Sequence, residues 1–350
     1  MNGAVNNVLV TRFSALGDVA IAVPVLYDVC RNNPQVRFCF VTRPLPASVF
    51  INPPANLEVV SVDLKLYPGV GGMRRLAGEL KSKYAIDAYA DLHDVLRTKL
   101  LRFFLCLAGV RTVRIDKDRK GRRRLTRRKG KVMRPLKASA DRYRDTFVRL
   151  GLNGGNGCFT SLFDREASPS LFATASRPKA EGETWMAIAP FAQHKGKIYP
   201  LQLMEQVVAE LASRPGYRLF LMGGGKEEAA TFGRWRAKFG EQVVNMAEKR
   251  IGIPAELALL SHCNLMLSMD SANMHLASIV GLRVISVWGA THPYCGFMGW
   301  RQLGEDAVQL DMSCRPCSVY GNKPCRYGDY RCLGALRPAD ILGQIDAALQ

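Results

Sequence analysis

"TRFSALGDVAIAVPVL", residues Thr11 to Leu26, decides the fold. It leads from the end of an apolar strand, Asn7 to Phe13, through a short polar loop into a helix. That helix is expected from about Gly17 to Arg31, where Asn32-Asn33-Pro34 stops it. A buried strand that passes straight into a helix is the first unit of a parallel α/β sheet. Asp18 stands at the junction. A carboxylate there suits the free N–H groups and the positive dipole end of a helix, so a plain cap accounts for it. The same junction is where α/β proteins place ligand chemistry. Taken alone, the stretch leaves both readings open.

The alternation continues outward from this stretch. "VRFCFVT", "LEVVSVD" and "IDAYADLH" read as strands, and "GGMRRLAGELKSKY" and "VLRTKLLRFFLCLAG" as helices, the second ending at Gly109. A basic loop follows, then a helix from about Ala138 to Leu150. "GLNGGNG" and the polar stretch from Arg165 to Glu183 read as a linker. A second series starts at "WMAIAP". It runs through a helix from Leu201, the strand "YRLFLM", the turn "GGGKEE" opening a helix, and the helical "IPAELALLSHC". The strand "NLMLSM", the helix "SANMHLASIVG" and the strand "RVISVWG" follow, and a helix from Pro338 to Leu349 closes the chain. Two α/β domains are expected, 1–165 and 180–350, facing across a cleft between the carboxyl edges of their sheets. The last helix is free to pack back on the first domain.

The bulk numbers agree with an enzyme-sized soluble chain. Its 350 residues suggest two domains, and 48% hydrophobic content can fill two cores. No charged n-region precedes an apolar core at the start, and the nearest apolar run, around Phe103 to Val110, is far too short to span a bilayer. A cytoplasmic protein is expected. The net charge of +19 is concentrated: Arg111 to Lys137 holds fourteen Lys/Arg against two Asp. Such a segment suits nucleic acid, an anionic membrane surface or a polyanionic substrate. Nucleic acid is disfavoured because Arg111 to Lys137 contains no aromatic residue on which bases stack.

Three strand-to-helix junctions carry polar residues. They are Ser14 to Asp18, "APFAQHKGKIYP" with Lys197, and "SMDSANMHLA" with Asp270, Ser271 and His275. Ser271 and His275 lie four apart and share a helical face. The N–H groups near Ser271 to Asn273 suit a diphosphate at a helix N-terminus. Taken singly, Ser271 reads equally well as a cap and His275 as a core histidine. "GGGKEE" matches neither the spaced dinucleotide fingerprint nor a P-loop, and no GxSxG or HExxH occurs.

In order and spacing, "RFSALGDVAIAVPVL", "APFAQHKGKIYP" and "LSMDSANMHLASIVGLRVISVWGATHP" together resemble the heptosyltransferases of lipopolysaccharide core biosynthesis. The resemblance runs over most of the chain. It implies the GT-B fold, two Rossmann-like α/β/α domains. It also implies inverting, metal-independent transfer of a heptose from ADP-heptose or a related donor to a lipid-linked core acceptor, with no further cofactor. On this resemblance Asp18 is the general base, and Lys197, Asp270, Ser271, Ala272 and His275 hold the donor. An anionic acceptor falls to Ser14, Arg97, Arg122, Arg123 and Arg124, with the protein peripheral at the cytoplasmic face of the inner membrane. Two positions depart from the family: Ala272 stands where Gly is usual and Tyr199 where Trp is usual. The late cysteines Cys314, Cys317, Cys325 and Cys332 read C-x2-C-x7-C-x6-C, which leaves structural zinc and packed reduced thiols both open.

Overall fold

Apolar runs in the first half become five strands: β1 (Asn7–Thr11), β2 (Arg37–Thr42), β3 (Leu57–Ser61), β4 (Ala88–Asp91) and β5 (Arg111–Arg114). They pair in parallel in the order β3-β2-β1-β4-β5, with Leu9 between Cys39 and Tyr89. The structure is a computed structural model that describes residues 5–164 and 166–350. Arg165, where the first domain was expected to end, lies outside the described residues. Helix Leu16–Asn32 is buried from Val19 through Cys30, which explains why its sequence is apolar all round rather than on one stripe. The one carboxylate in that run, Asp28, accepts from the Phe159 N–H at 2.9 Å.

The second series gives β6 (Thr184–Ala189), β7 (Tyr217–Leu221), β8 (Val243–Asn245), β9 (Leu265–Met269), β10 (Val284–Val287) and β11 (Ala307–Val308). These too are parallel, in the order β11-β10-β9-β6-β7-β8. Helices Leu201–Ser213, Lys226–Phe239 and Pro338–Leu349 cover this sheet through Met204, Val207, Phe232, Ile341 and Ile345, all within one core. The last helix therefore packs on the sheet of its own half. Ile341 and Ile345 are fully buried there, and Arg214 pairs with Asp346 at 2.5 Å on the rim.

The chain divides into two compact units, residues 1–117 with 137–162 and residues 118–136 with 163–350. The basic segment was expected to be a loop of the first half. Its first residues form β5 of the first sheet, whereas residues 118–136, with helix Arg119–Thr126, belong with the second unit. Asp118 caps the helix by accepting from the Gly121 N–H at 2.9 Å, and Leu125 is its buried anchor. Lys131 Nζ donates to the carbonyls of Cys314, Arg315 and Pro316 at 2.8, 2.7 and 3.1 Å. Arg122 donates to the Tyr320 hydroxyl at 2.6 Å and lies 5.6 Å from the ring centres of both Phe297 and Tyr320. The segment is a docked strap. Among the described residues no helix is long and apolar enough to cross a membrane.

Replacing Ile345 by Ala should destabilise the second unit by about 2–5 kcal/mol, the range for emptying a fully buried aliphatic site. Urea unfolding followed by tryptophan fluorescence checks this, since Trp185, Trp235 and Trp288 all lie in that unit. An unchanged midpoint would mean that the last helix is not part of this core.

Candidate active site

In each sheet the strand order reverses once beside the first strand, between β1 and β4 and between β6 and β9. At such a reversal the connections leave to opposite sides and open a crevice beyond the strand carboxyl ends. The residues singled out in the sequence follow those ends. Ser14 and Asp18 follow β1, Lys197 follows β6, and Asp270 and Ser271 follow β9. A cavity of about 810 Å³ opens at the other edge of the first sheet, lined by Asn7, Arg37, Glu58 and Lys83. It faces the amino ends of the strands, where the connections create no comparable crevice.

In the first unit Asp18 occupies the first turn of helix Leu16–Asn32, and its side chain is one-quarter exposed. Oδ2 accepts from the Ala15 N–H at 3.2 Å and pairs with the Arg12 guanidinium at 2.6 Å. Asp18 is thus both a cap and a held, accessible carboxylate. Arg12 is fixed in turn by donating to the Leu92 carbonyl at 2.9 Å, which ties the β1 loop to the β4 loop. Tyr143 donates to the Asp18 carbonyl at 3.4 Å.

The β4 loop adds groups that the sequence did not announce. Asp91 is fully buried and accepts from the N–H groups of His93 and Asp94 at 2.9 and 2.8 Å while pairing with Arg102 at 2.6 Å. Burial raises its pKa against the pull of those donors. His93 is buried, and among the described residues its Nδ1 has no hydrogen-bond partner. Burial, then the positive charges of Arg12 and Lys117, push its pKa down to about 3, while Asp18 opposes them. Arg12 and His93 were missed because they lie on different strands and form no sequence motif. The usable signal was position, directly after a strand predicted to end at the sheet edge. Arg97 is exposed on the first turn of the next helix.

In the second unit Lys197 Nζ pairs with Asp270 Oδ2 at 3.0 Å, and the Thr291 hydroxyl donates to the same oxygen at 2.8 Å. Ser271 is the N-cap residue of helix Ala272–Ile279, with its Oγ 3.3 Å from that of Ser268. Its side chain makes no cap bond, so the helix N-terminus is not closed by its own serine. Ala272 is partly exposed on the first turn, whereas His275 is buried on the next. Thus Lys197 and Asp270 are brought into contact, Ser271 follows on the same loop, and His275 is directed into the protein.

Glycine geometry shapes the lysine. At Gly321, with φ near +75°, a Cβ would lie 2.5 Å from Lys197 Cγ and 2.7 Å from Cδ, so the lysine stem crosses bare backbone. The loop that carries Gly321 is organised by Arg315, which is 2% exposed and donates to the carbonyls of Trp288 and Thr291 at 3.0 and 2.9 Å. Burial lowers the pKa of this guanidinium.

Of the proposed acceptor arginines, Arg123 and Arg124 are exposed, and Arg122 is engaged with Tyr320 and Phe297. Cys314, Cys317, Cys325 and Cys332 are free thiols lining one small cavity with Ala290, Tyr327 and Tyr330. Burial raises the pKa of Cys332 to about 11. Among the described residues no group of three or more His, Cys, Asp or Glu side chains is arranged to hold a metal ion.

The family profile described as glycosyltransferase family 9 (heptosyltransferase) matches residues 156–330, half of the chain. Lipooligosaccharide heptosyltransferase 2 of Campylobacter jejuni is 24% identical over 132 residues, which span 37% of this chain and only 40% of that relative. A glycosyltransferase family 9 structure from Veillonella parvula superposes with a TM-score of 0.75 at 17% identity, covering 98% of this chain and 97% of that one. The E. coli heptosyltransferase WaaC with ADP-2-deoxy-2-fluoro heptose gives a TM-score of 0.58 at 18% identity, over 90% of this chain and 97% of that one. The fold is that of the GT-B heptosyltransferases.

Two outcomes follow from the geometry. Below pH 6.5 an unfolded His93 takes up a proton that the folded ring, with its pKa near 3, does not. Its neutrality is without cost above pH 6.5 and increasingly destabilising as the pH falls toward 3, by about 1.4 kcal/mol per pH unit at most. Between pH 6 and pH 4 urea unfolding should therefore show a steeper loss of stability for wild type than for His93→Gln. Equal slopes would mean that His93 is not held neutral. Gly321→Ala should displace Lys197 from Asp270 and lower the thermal midpoint of the second unit; an unchanged melting curve would mean that the lysine stem does not need the bare backbone at Gly321.

Proposed function

Because this chain belongs to glycosyltransferase family 9, we propose that it moves a heptose or a closely related sugar from a nucleotide-diphosphate donor, ADP-heptose first, to a lipid-linked saccharide hydroxyl with inversion. The observation that carries the reading is the Lys197–Asp270 pair beside the Ser271 helix terminus. Lys197 is held by the residue next to that uncapped terminus, and a cation near helix N–H groups suits a departing diphosphate. The solved E. coli relative held with an ADP-heptose analogue supports ADP-heptose as the donor.

In this mechanism the acceptor oxygen attacks the anomeric carbon as the bond to the diphosphate oxygen breaks. The Asp18 carboxylate takes the hydroxyl proton, and the electron pair of the broken bond leaves with the diphosphate. Arg12 fixes the Asp18 side chain so that little reorganisation is needed at the moment of attack. His93, neutral beside Arg12, adds no further positive charge to a loop that must keep its carboxylate basic. On the donor side Lys197 meets the phosphate oxygens, and Asp270, held by Thr291, turns to the sugar hydroxyls. These groups supply the charge stabilisation without a metal ion. The basic strap favours an anionic acceptor and residence at an anionic membrane surface, where each basic residue contributes about 1 kcal/mol.

Asp18→Asn should lower turnover by about 10²–10⁴-fold, the usual worth of a general base, and leave ADP affinity nearly unchanged. Steady-state transfer assays beside ADP calorimetry test this. Wild-type turnover at saturating donor would reduce Asp18 to a cap.

A further inference from the structure

We infer that the strap and the late cysteine loop together form a second anion site, selective for a phosphate-bearing group. A cavity of about 200 Å³ lies between them, lined by Arg127, Arg128, Lys131, Lys323 and Arg326. Among the described residues no carboxylate lines it; the rest of its wall is Thr126, Pro324 and the cysteines Cys314 and Cys317. That volume admits several water molecules, hence a tetrahedral anion with its oxygens bonded.

The cations are not equivalent. Lys131 is committed, with its three donors on the carbonyls of Cys314, Arg315 and Pro316, and burial lowers its pKa. It is a rivet that sets the distance between strap and loop. Arg122, bonded to Tyr320 and packed near Phe297, fixes the other end of the same segment. Leu125, 1% exposed, anchors the helix between them. Because the strap is held at these points, Arg127 and Arg128 line the same cavity as Lys323 and Arg326. All four of those side chains belong to exposed residues.

Four exposed cations facing one cavity without an acid repel one another, and a bound anion relieves that repulsion. Guanidinium forks match the paired oxygens of phosphate better than a single-charge partner. A phosphate dianion is therefore the chemistry that fits. It comes either from a free diphosphate or from a phosphate carried on the saccharide acceptor. The first source stands without the transferase reading, and the second rests on it.

The test uses the full chain and inorganic pyrophosphate, titrated in saturating ADP so that the donor site is filled. Wild type should bind, and Arg127→Ser/Lys323→Ser should bind about 100-fold more weakly or worse, as two lost charge-assisted bonds imply. Lys129→Ser/Arg134→Ser removes the same charge from the strap outside the cavity and should stay within about two-fold, since only screened long-range attraction is lost. Matching thermal melts exclude misfolding. A second arm measures flotation with vesicles bearing a phosphorylated saccharide lipid, against phosphatidylglycerol vesicles of equal surface charge. Weakening of the cavity variant in the pyrophosphate arm alone supports a free anion, and weakening also on the phosphosaccharide vesicles supports the acceptor's phosphate. No pyrophosphate binding, or equal losses in both double variants, overturns the site. The ADP titration is read separately: its failure would count against the donor reading and not against the cavity.

Discussion

A parallel sheet covered on both faces leaves its polar chemistry one outlet, the ends of its strands. Both sheets obey that constraint. Val8 to Val10 and Trp185 to Ala189 are fully buried, so nothing chemical can project from the middle of β1 or β6. The loops just beyond those strands are constrained in turn. Asp18 and Lys197 are reached in the loops that follow strands ending at the reversal of strand order, where crossover helices leave a gap. The Arg12–Asp18 and Lys197–Asp270 pairs are then local solutions to one problem, holding a charged group at a partly desolvated edge. Each pair carries a third contact, from Leu92 or Thr291, that fixes its geometry.

Much of this was legible in the sequence because the signals were local. Apolar runs bounded by Gly, Pro and Asn place most strands and longer helices within about two residues of where they lie. The exceptions have physical causes. β5 was lost in the charge run because Arg111 and Arg114 are exposed at the sheet edge, so no apolar pattern marks it. Helix Arg119–Thr126 has a single buried residue, Leu125, which is too little for a period to show. Membership of the strap in the second unit depends on Lys131 meeting carbonyls more than 180 residues away, a relation that local sequence cannot carry.

The same division holds for the candidate site. Asp18, Lys197, Asp270 and Ser271 could be singled out because they sit in short runs with a recognisable order. Arg12, His93 and Asp91 were not, since their relation is made across neighbouring parallel strands through Leu92 and the β4 turn. His275 shares a helical face with Ser271, yet burial separates their environments. Spacing predicts which residues can meet but not which side of them faces water.

The chain passes between its two units at residues 117–118, 136–137 and 162–163, so the second unit is discontinuous in sequence. That has a consequence for synthesis on the ribosome. The strap emerges among residues of the first unit, while the carbonyl that Lys131 binds at Cys314 lies 183 residues later. At the usual 5–20 residues per second, the nascent strap waits about 10–40 s for its partners. By then all five strands of the first sheet have been made, so that sheet can pair before Lys131 has a carbonyl to bind.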